Sequence, residues 1–285
     1  MTRLVLAHVV ALGLVAGDVW IRAVRLRLLL GREQTPGLRR AIAINAYGDA
    51  ASALTPARIG GEPARFVALK RAGVTTPATV VVLAAERVID LSLVGMVTVL
   101  SLSALGGRGF RDVDALFRRL AAPGMLPWAL GVVALLLLGG AAAFLLRGRF
   151  PPVVEHSLRD ALRETRRLAG GTVVAATGLT AASMVARVGI LPVLFAAYVP
   201  ITNPVPVLVG SFALIYAQLL LPTPGGVGGV ELGFVASMAP VLSQQSLAAL
   251  LLTWRVYSLF LPAGLGVALF GRGLLIGRRV GRGME

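Results

Sequence analysis

Two phrases constrain this chain more than any other feature: TPARIGGEPARF at 55–66 and TPGGVGGVELGF at 223–234. They lie 168 positions apart, agree at five of twelve positions, and are embedded in apolar sequence. Proline and glycine interrupt helices, and a helix broken inside lipid leaves backbone groups that lipid cannot satisfy. Such breaks persist where protein or a wet cavity covers them, so the phrases are expected to line a polar cavity.

Composition says that lipid is the relevant solvent. Hydrophobic residues make up 56% of the 285 positions and charged residues only 14%, the balance of a membrane chain. The formal charge of +15 does not point to nucleic acid, because a DNA reader needs a water-exposed basic face that this chain has little polar surface to build. Surplus arginine has another outlet, the cytoplasmic edge of membrane helices. There is no cysteine, which excludes disulfides and thiolate chemistry. His8 and His156 lack ligand spacing, so no metal and no cofactor are implied. The first apolar run carries Asp18 and Arg22 and continues without a small-residue cleavage site, so it does not read as a cleavable signal.

Apolar segments fall at 4–24, 41–54, 76–105, 126–147, 172–200, 205–221, 230–242 and 246–270. Roughly 20 residues are needed to cross a hydrocarbon core of about 30 Å. The segments 41–54 and 230–242 are too short, and each adjoins one copy of the phrase. The reading is an all-α polytopic membrane protein with two re-entrant helical hairpins, 41–72 and 205–242, and about five full spans. Arginine-rich stretches at 22–40, at 147–167 and in the tail are expected to be cytoplasmic. That puts the N-terminus outside and the C-terminus inside, with the first hairpin entering from the cytoplasm and the second, flanked by ITNP and SQQS, from outside. Arg65, Lys70 and Arg71 on the first return leg agree. The stretch 108–119, RGFRDVDALFRR, reads as an interfacial amphipathic helix, 148–171 as a cytoplasmic amphipathic linker and 271–285 as a basic cytoplasmic tail.

The phrase occurs twice because the fold is duplicated and inverted, the repeats being 41–105 and 205–270 within one transmembrane domain, 1–285. The register continues beyond the phrase: Leu83, Arg87 and Val88 meet Leu251, Arg255 and Val256 at the same offset.

The stretches NAYGDAASALTPARIGGEPARFVALKRAG, AAERVIDL and LPTPGGVGGVELGF resemble the transmembrane, flippase-like region of lysylphosphatidylglycerol synthases and their stand-alone integral membrane relatives. The resemblance covers most of the chain, and its most specific element is Pro224, Gly225, Gly226, Gly228 and Glu231. It implies movement of a lipid with an anionic head group between leaflets. With no soluble aminoacyl-transfer domain expected after residue 270, it does not imply synthase activity. A helix that often precedes the first one in the family is also expected to be missing.

The residues support a compatible reading. Ionisable groups at membrane depth are costly and face a partner or a wet cavity. Such groups are Asp49, Arg58, Glu62, Arg65, Glu86, Arg87, Asp90, Arg187, Glu231 and Arg255. Arg58, Arg65, Arg87 and Arg255 are candidates to bind a lipid phosphate, helped by free amides at Gly60, Gly61, Gly228 and Gly229 where the return helices begin. Asp49, Glu62, Glu86, Asp90 and Glu231 are candidate charge partners or coupling groups. The competing reading is that Arg87 and Arg255 neutralise Glu62, Glu86 or Glu231 to hold the hairpins. Asp18 and Arg22, four residues apart, read as a structural pair near an interface.

The metalloprotease, nucleophile-elbow, Walker and dinucleotide motifs are missing, so the chain is not expected to be an enzyme. Three classes stay open on the residues: a translocase for anionic membrane lipids, a scaffold or partner of a lipid-modifying enzyme, and an intramembrane enzyme using Glu86 and Asp90.

Overall fold

The computed structural model of the chain describes residues 2–31, 34–104, 170–200 and 203–270. Among them every regular element is a helix: α1 (Thr2–Leu30), α2 (Leu38–Leu54), α3 (Gly61–Arg71), α4 (Thr76–Ala104), α5 (Gly170–Phe195), α6 (Pro204–Ala217), α7 (Gly229–Met238) and α8 (Gln244–Arg255). Helix α8 runs on through a π-helical turn, Val256–Phe260, to Phe270. The expected interfacial helix at 108–119, the span at 126–147, the linker at 148–171 up to residue 169 and the tail at 271–285 lie outside the described residues, as does His156, while Gly170 and Gly171, expected in the linker, belong to α5.

Three described helices are long and apolar enough to cross a membrane: Arg3–Leu30, Gly170–Phe195 and Gln244–Phe270. Helix α4 has the length, about 44 Å at the usual rise, but carries Glu86, Arg87 and Asp90 in its middle. The protein is thus all-α and polytopic, with two short-helix hairpins, α2–α3 and α6–α7.

Local chemistry starts and stops these helices where it should. Asn203 caps α6, accepting from the Val205 amide at 3.1 Å, with Pro204 as first residue. Ser243 caps α8 through the Ser246 amide at 3.3 Å. Such caps satisfy amides that have no partner inside the helix. In the first tip Thr55 accepts from the Gly60 amide at 2.9 Å.

The central pair is α1 and α5. As the chain advances along α1 through Leu14, Asp18 and Arg25, its neighbours retreat along α5 through Gly189, Ser183 and Thr180. The two helices are therefore antiparallel. Around them sit two apolar clusters at opposite ends. One joins Ala23, Leu26 and Leu30 of α1 to Ala41 and Ile44 of α2, Leu69 of α3, Ala78 and Val82 of α4, and Ala176 of α5. The other joins Ala7 and Val15 of α1 to Leu191 and Leu194 of α5, Leu214 of α6, Phe234 and Met238 of α7, and Leu250 and Trp254 of α8. Phe212 of α6 reaches the first cluster, but the hairpin bases lie at opposite ends, Leu38 and Ala72 packing on the first cluster and Val207 and Leu242 on the second, so the repeat is inverted.

The offset of the phrase also recurs in where the helices after each tip begin. Helices α3 and α7, and α4 and α8, each begin 168 positions apart, at Gly61 and Gly229 and at Thr76 and Gln244.

Two close approaches replace side-chain packing. A Cβ on Gly61 would strike the Ser52 hydroxyl and come within 3.1 Å of the Gly48 carbonyl oxygen, so α2 and α3 touch through small residues. A Cβ on Gly266 would run into the Ala46 carbonyl, which seats the far half of α8 against α2.

Candidate functional site

The two tips meet. Pro56 and Pro224 form an isolated antiparallel bridge, the Ala57 amide donates to the Leu221 carbonyl at 3.1 Å, and Arg58 Nη1 donates to Gln218 Oε1 at 3.1 Å. Their backbones also match. Ala57 and Arg58 have φ of 48° and 59°, and their counterparts Gly225 and Gly226 have φ of 59° and 71°. The second tip uses glycine for this left-handed turn, as sterics favour. The first places two side chains there, at a cost of about 1–3 kcal/mol each.

Beside this junction lies a cavity of about 440 Å³, lined by every described helix except α7. Six arginines face it, Arg22, Arg25, Arg58, Arg65, Arg87 and Arg187, with the carboxylates Asp18, Asp49, Glu62 and Asp90. Most of this charge is paired. Arg22 donates to both oxygens of Asp49 at 3.0 and 2.8 Å and lies 3.0 Å from Asp18. Asp18 also accepts from Arg187 Nε at 3.0 Å and from Ser183. Arg25 donates to Glu86 at 3.0 Å, to Thr180 at 2.7 Å and to Asp90. Arg65 donates to Glu86 and lies 3.6 Å from Glu62, and Arg87 donates to Glu62 at 2.6 Å. In a setting with little water each such bond shields a charge that would otherwise be prohibitively costly.

Of the residues expected from sequence, Arg58, Arg65, Arg87, Gly61, Asp49, Glu62 and Asp90 line the cavity. Glu86, only 2% exposed, sits behind it holding Arg25 and Arg65. Arg255, Glu231, Gly60, Gly228 and Gly229 are not brought to it. Arg255 Nε donates to Glu231 at 2.6 Å and its Nη1 to the Gly225 carbonyl at 3.2 Å. Three of the four amides expected to be free are engaged: Gly60 with Thr55, Gly61 with the Arg58 carbonyl at 3.4 Å, and Gly228 with Glu231 Oε2 at 2.7 Å.

Arg22 and Arg25 correct the sequence reading. Expected at the cytoplasmic edge, they are buried, because α1 continues to Leu30 and carries them past the network. The Asp18–Arg22 pair is real, but it belongs to the cavity wall. The spacing Asp18, Arg22, Arg25 puts all three on one helical face, a signal available in the sequence. Gln218, Asn45 and Thr180 carried no such signal.

The repeat is asymmetric in chemistry. Glu86 and its counterpart Trp254 are both buried, but Trp254 stacks on Phe234 at 5.6 Å between centroids. One half builds a polar wall where the other builds an apolar one. Tyr257, Ser258 and Leu259 reach the cavity from the π-helical turn that follows Arg255, an irregularity often found at functional sites.

A family model described as Lysylphosphatidylglycerol synthase TM region matches residues 2–266. No curated protein and no solved structure matches the chain.

Proposed function

The chain belongs to the lysylphosphatidylglycerol synthase TM region family, and from that premise we propose that it translocates an anionic, phosphate-bearing lipid between leaflets. The observation that carries this reading is the arginine-lined cavity at the junction of two hairpin tips that arrive from opposite ends. A phosphate head group needs cationic donors at membrane depth, and its acyl chains need none, so a polar pocket inside a lipid-exposed bundle suits it. The lipid changes leaflet and keeps its bonds, so no catalytic step is assigned to Glu86 or Asp90. Among the carboxylates facing the cavity Glu62 and Asp90 are the most open, with side chains about one-third exposed.

Orientation follows from the ends of the hairpins. Arg39, Arg40, Lys70 and Arg71 are exposed at the base of the first, whereas Asn203, Ser243, Gln244 and Gln245 at the base of the second carry no charge. This favours a cytoplasmic first hairpin in the inner cell membrane. Phe270 packs edge-on against Tyr47 at 5.8 Å, which favours a C-terminus on the same side.

The test is reconstitution into vesicles carrying a fluorescent phosphatidylglycerol in both leaflets, with an impermeant quencher added outside. The protected fraction is expected to fall toward zero. A fraction equal to that of protein-free vesicles defeats the translocase reading and favours a scaffold beside a lipid-modifying enzyme. A changed lipid mass favours an enzyme.

A further inference from the structure

Resting on the translocase reading and deepening it, we propose that Arg58, held by Gln218 of the opposite repeat, recognises a single phosphodiester charge in the cavity. The first argument is charge. Five of the six arginines facing the cavity have carboxylate partners, drawn from Asp18, Asp49, Glu62, Glu86 and Asp90. Arg58 has no carboxylate within 4 Å among the described residues, Asp49 acting on it only from further away; its hydrogen-bond partner is the neutral amide of Gln218, itself buried. Among the described residues six cations are set against five carboxylates, which leaves this set one negative charge short of neutrality.

The second argument is conformational. Ala57 and Arg58 adopt the left-handed turn for which the other tip uses Gly225 and Gly226. A bulky side chain held in a turn that glycine would make more easily is strain retained for what the side chain does. The third is the neighbourhood. Asn45 is 4% exposed, and among the described residues its Nδ2 has no hydrogen-bond partner, nor has Arg65 Nε or Ser258 Oγ. All three residues line the same cavity. Amide and guanidinium hydrogens call for an acceptor-rich ligand, and a phosphodiester offers oxygens with one charge. A phosphomonoester dianion would bring a second charge with no cation left to meet it.

The experiment titrates purified protein in detergent with phosphatidylglycerol, with phosphatidylcholine and with inorganic phosphate, following binding and thermal unfolding together. Two variants decide. Arg58→Gly removes the cation and relieves the turn, so it should unfold at the wild-type temperature or higher yet bind phosphatidylglycerol about tenfold more weakly. Gln218→Glu gives Arg58 a carboxylate, so it should lose the same affinity with the fold intact. Should Arg58→Gly not fold, Gln218→Glu still decides, since it leaves Arg58 and the first tip unaltered. A folded variant of either kind that keeps wild-type affinity overturns the Arg58 assignment and leaves the translocase reading standing. A wild-type protein with no preference for phosphatidylglycerol over phosphatidylcholine overturns the anion site itself. Inorganic phosphate that displaces the lipid at equal concentration assigns the site to a soluble anion and overturns the lipid assignment.

Discussion

Pro56 and Pro224 pair across the middle of the molecule, and each is the other's counterpart in the 168-residue repeat. In a two-fold arrangement a residue can touch its own counterpart only on the axis. The neighbouring contacts obey the same symmetry: Ala57 bonds Leu221, while Gly225 approaches the carbonyl of Ala53. The axis therefore runs through the tip junction, and the cavity lies beside it.

A head group passing this junction requires the tips to part. Antiparallel bridge partners stand about 4.5–5.5 Å apart, within the roughly 4.4–6.8 Å that a disulfide spans. The chain has no cysteine of its own, so Pro56→Cys with Pro224→Cys yields one defined bridge. Oxidation is expected to stop lipid movement and reduction to restore it, as read by the vesicle quenching assay. Unchanged movement in fully cross-linked protein would mean that the tips do not separate.

Each half pairs the first-turn glutamate of its return helix with the arginine of the next helix, Glu62 with Arg87 and Glu231 with Arg255. The pairs differ in burial: the Arg255 side chain is 4% exposed and that of Arg87 42%. Arg255→Gln should cost about 3 kcal/mol by stranding its partner, and adding Glu231→Gln should recover most of it. Arg87→Gln should cost no more than about 1 kcal/mol. Thermal unfolding in detergent measures all three, and equal losses for the two single variants would contradict the pairing.

The phrase glycines divide by what surrounds them. At Gly61 a methyl group meets the Gly48 backbone and the Ser52 side chain, whereas at Gly229 it meets the movable end of Leu221. Gly61→Ala is expected to destabilise by about 1–3 kcal/mol through overpacking, and Gly229→Ala by clearly less. Comparison of unfolding temperatures settles the order.

Opposite insertion of the hairpins makes a labelling prediction. A cysteine at Ala72, beyond α3, should react with an impermeant maleimide only from the cytoplasmic side, and one at Gln244, at the start of α8, only from outside. Reaction of both from the same side would end the inverted arrangement.

The sequence by itself determined the duplication and the short hairpins, while the left-handed turns at Ala57–Arg58 and Gly225–Gly226 came only with the structure. The duplication and the hairpins are written in local chemistry: segment length against membrane thickness, glycine and proline at a break, and a constant offset. It also marked the ionisable residues, because a charge at membrane depth is anomalous wherever it occurs. Only the tertiary structure decided what each charge faces. Arg87 and Arg255 are equivalent in the repeat, yet one borders the cavity and the other is sealed behind it against Gly225 and Glu231. Arg22 and Arg25, grouped by sequence with arginines outside the membrane, are buried in the wall, because the end of an apolar run does not mark the end of a helix whose charges find partners on α2, α4 and α5. Gln218 is an unremarkable glutamine until the second tip folds against the first. Pairings between helices depend on the distance and direction of groups remote in the chain, and the periodicity of one helix says only that a face is polar, never what it meets.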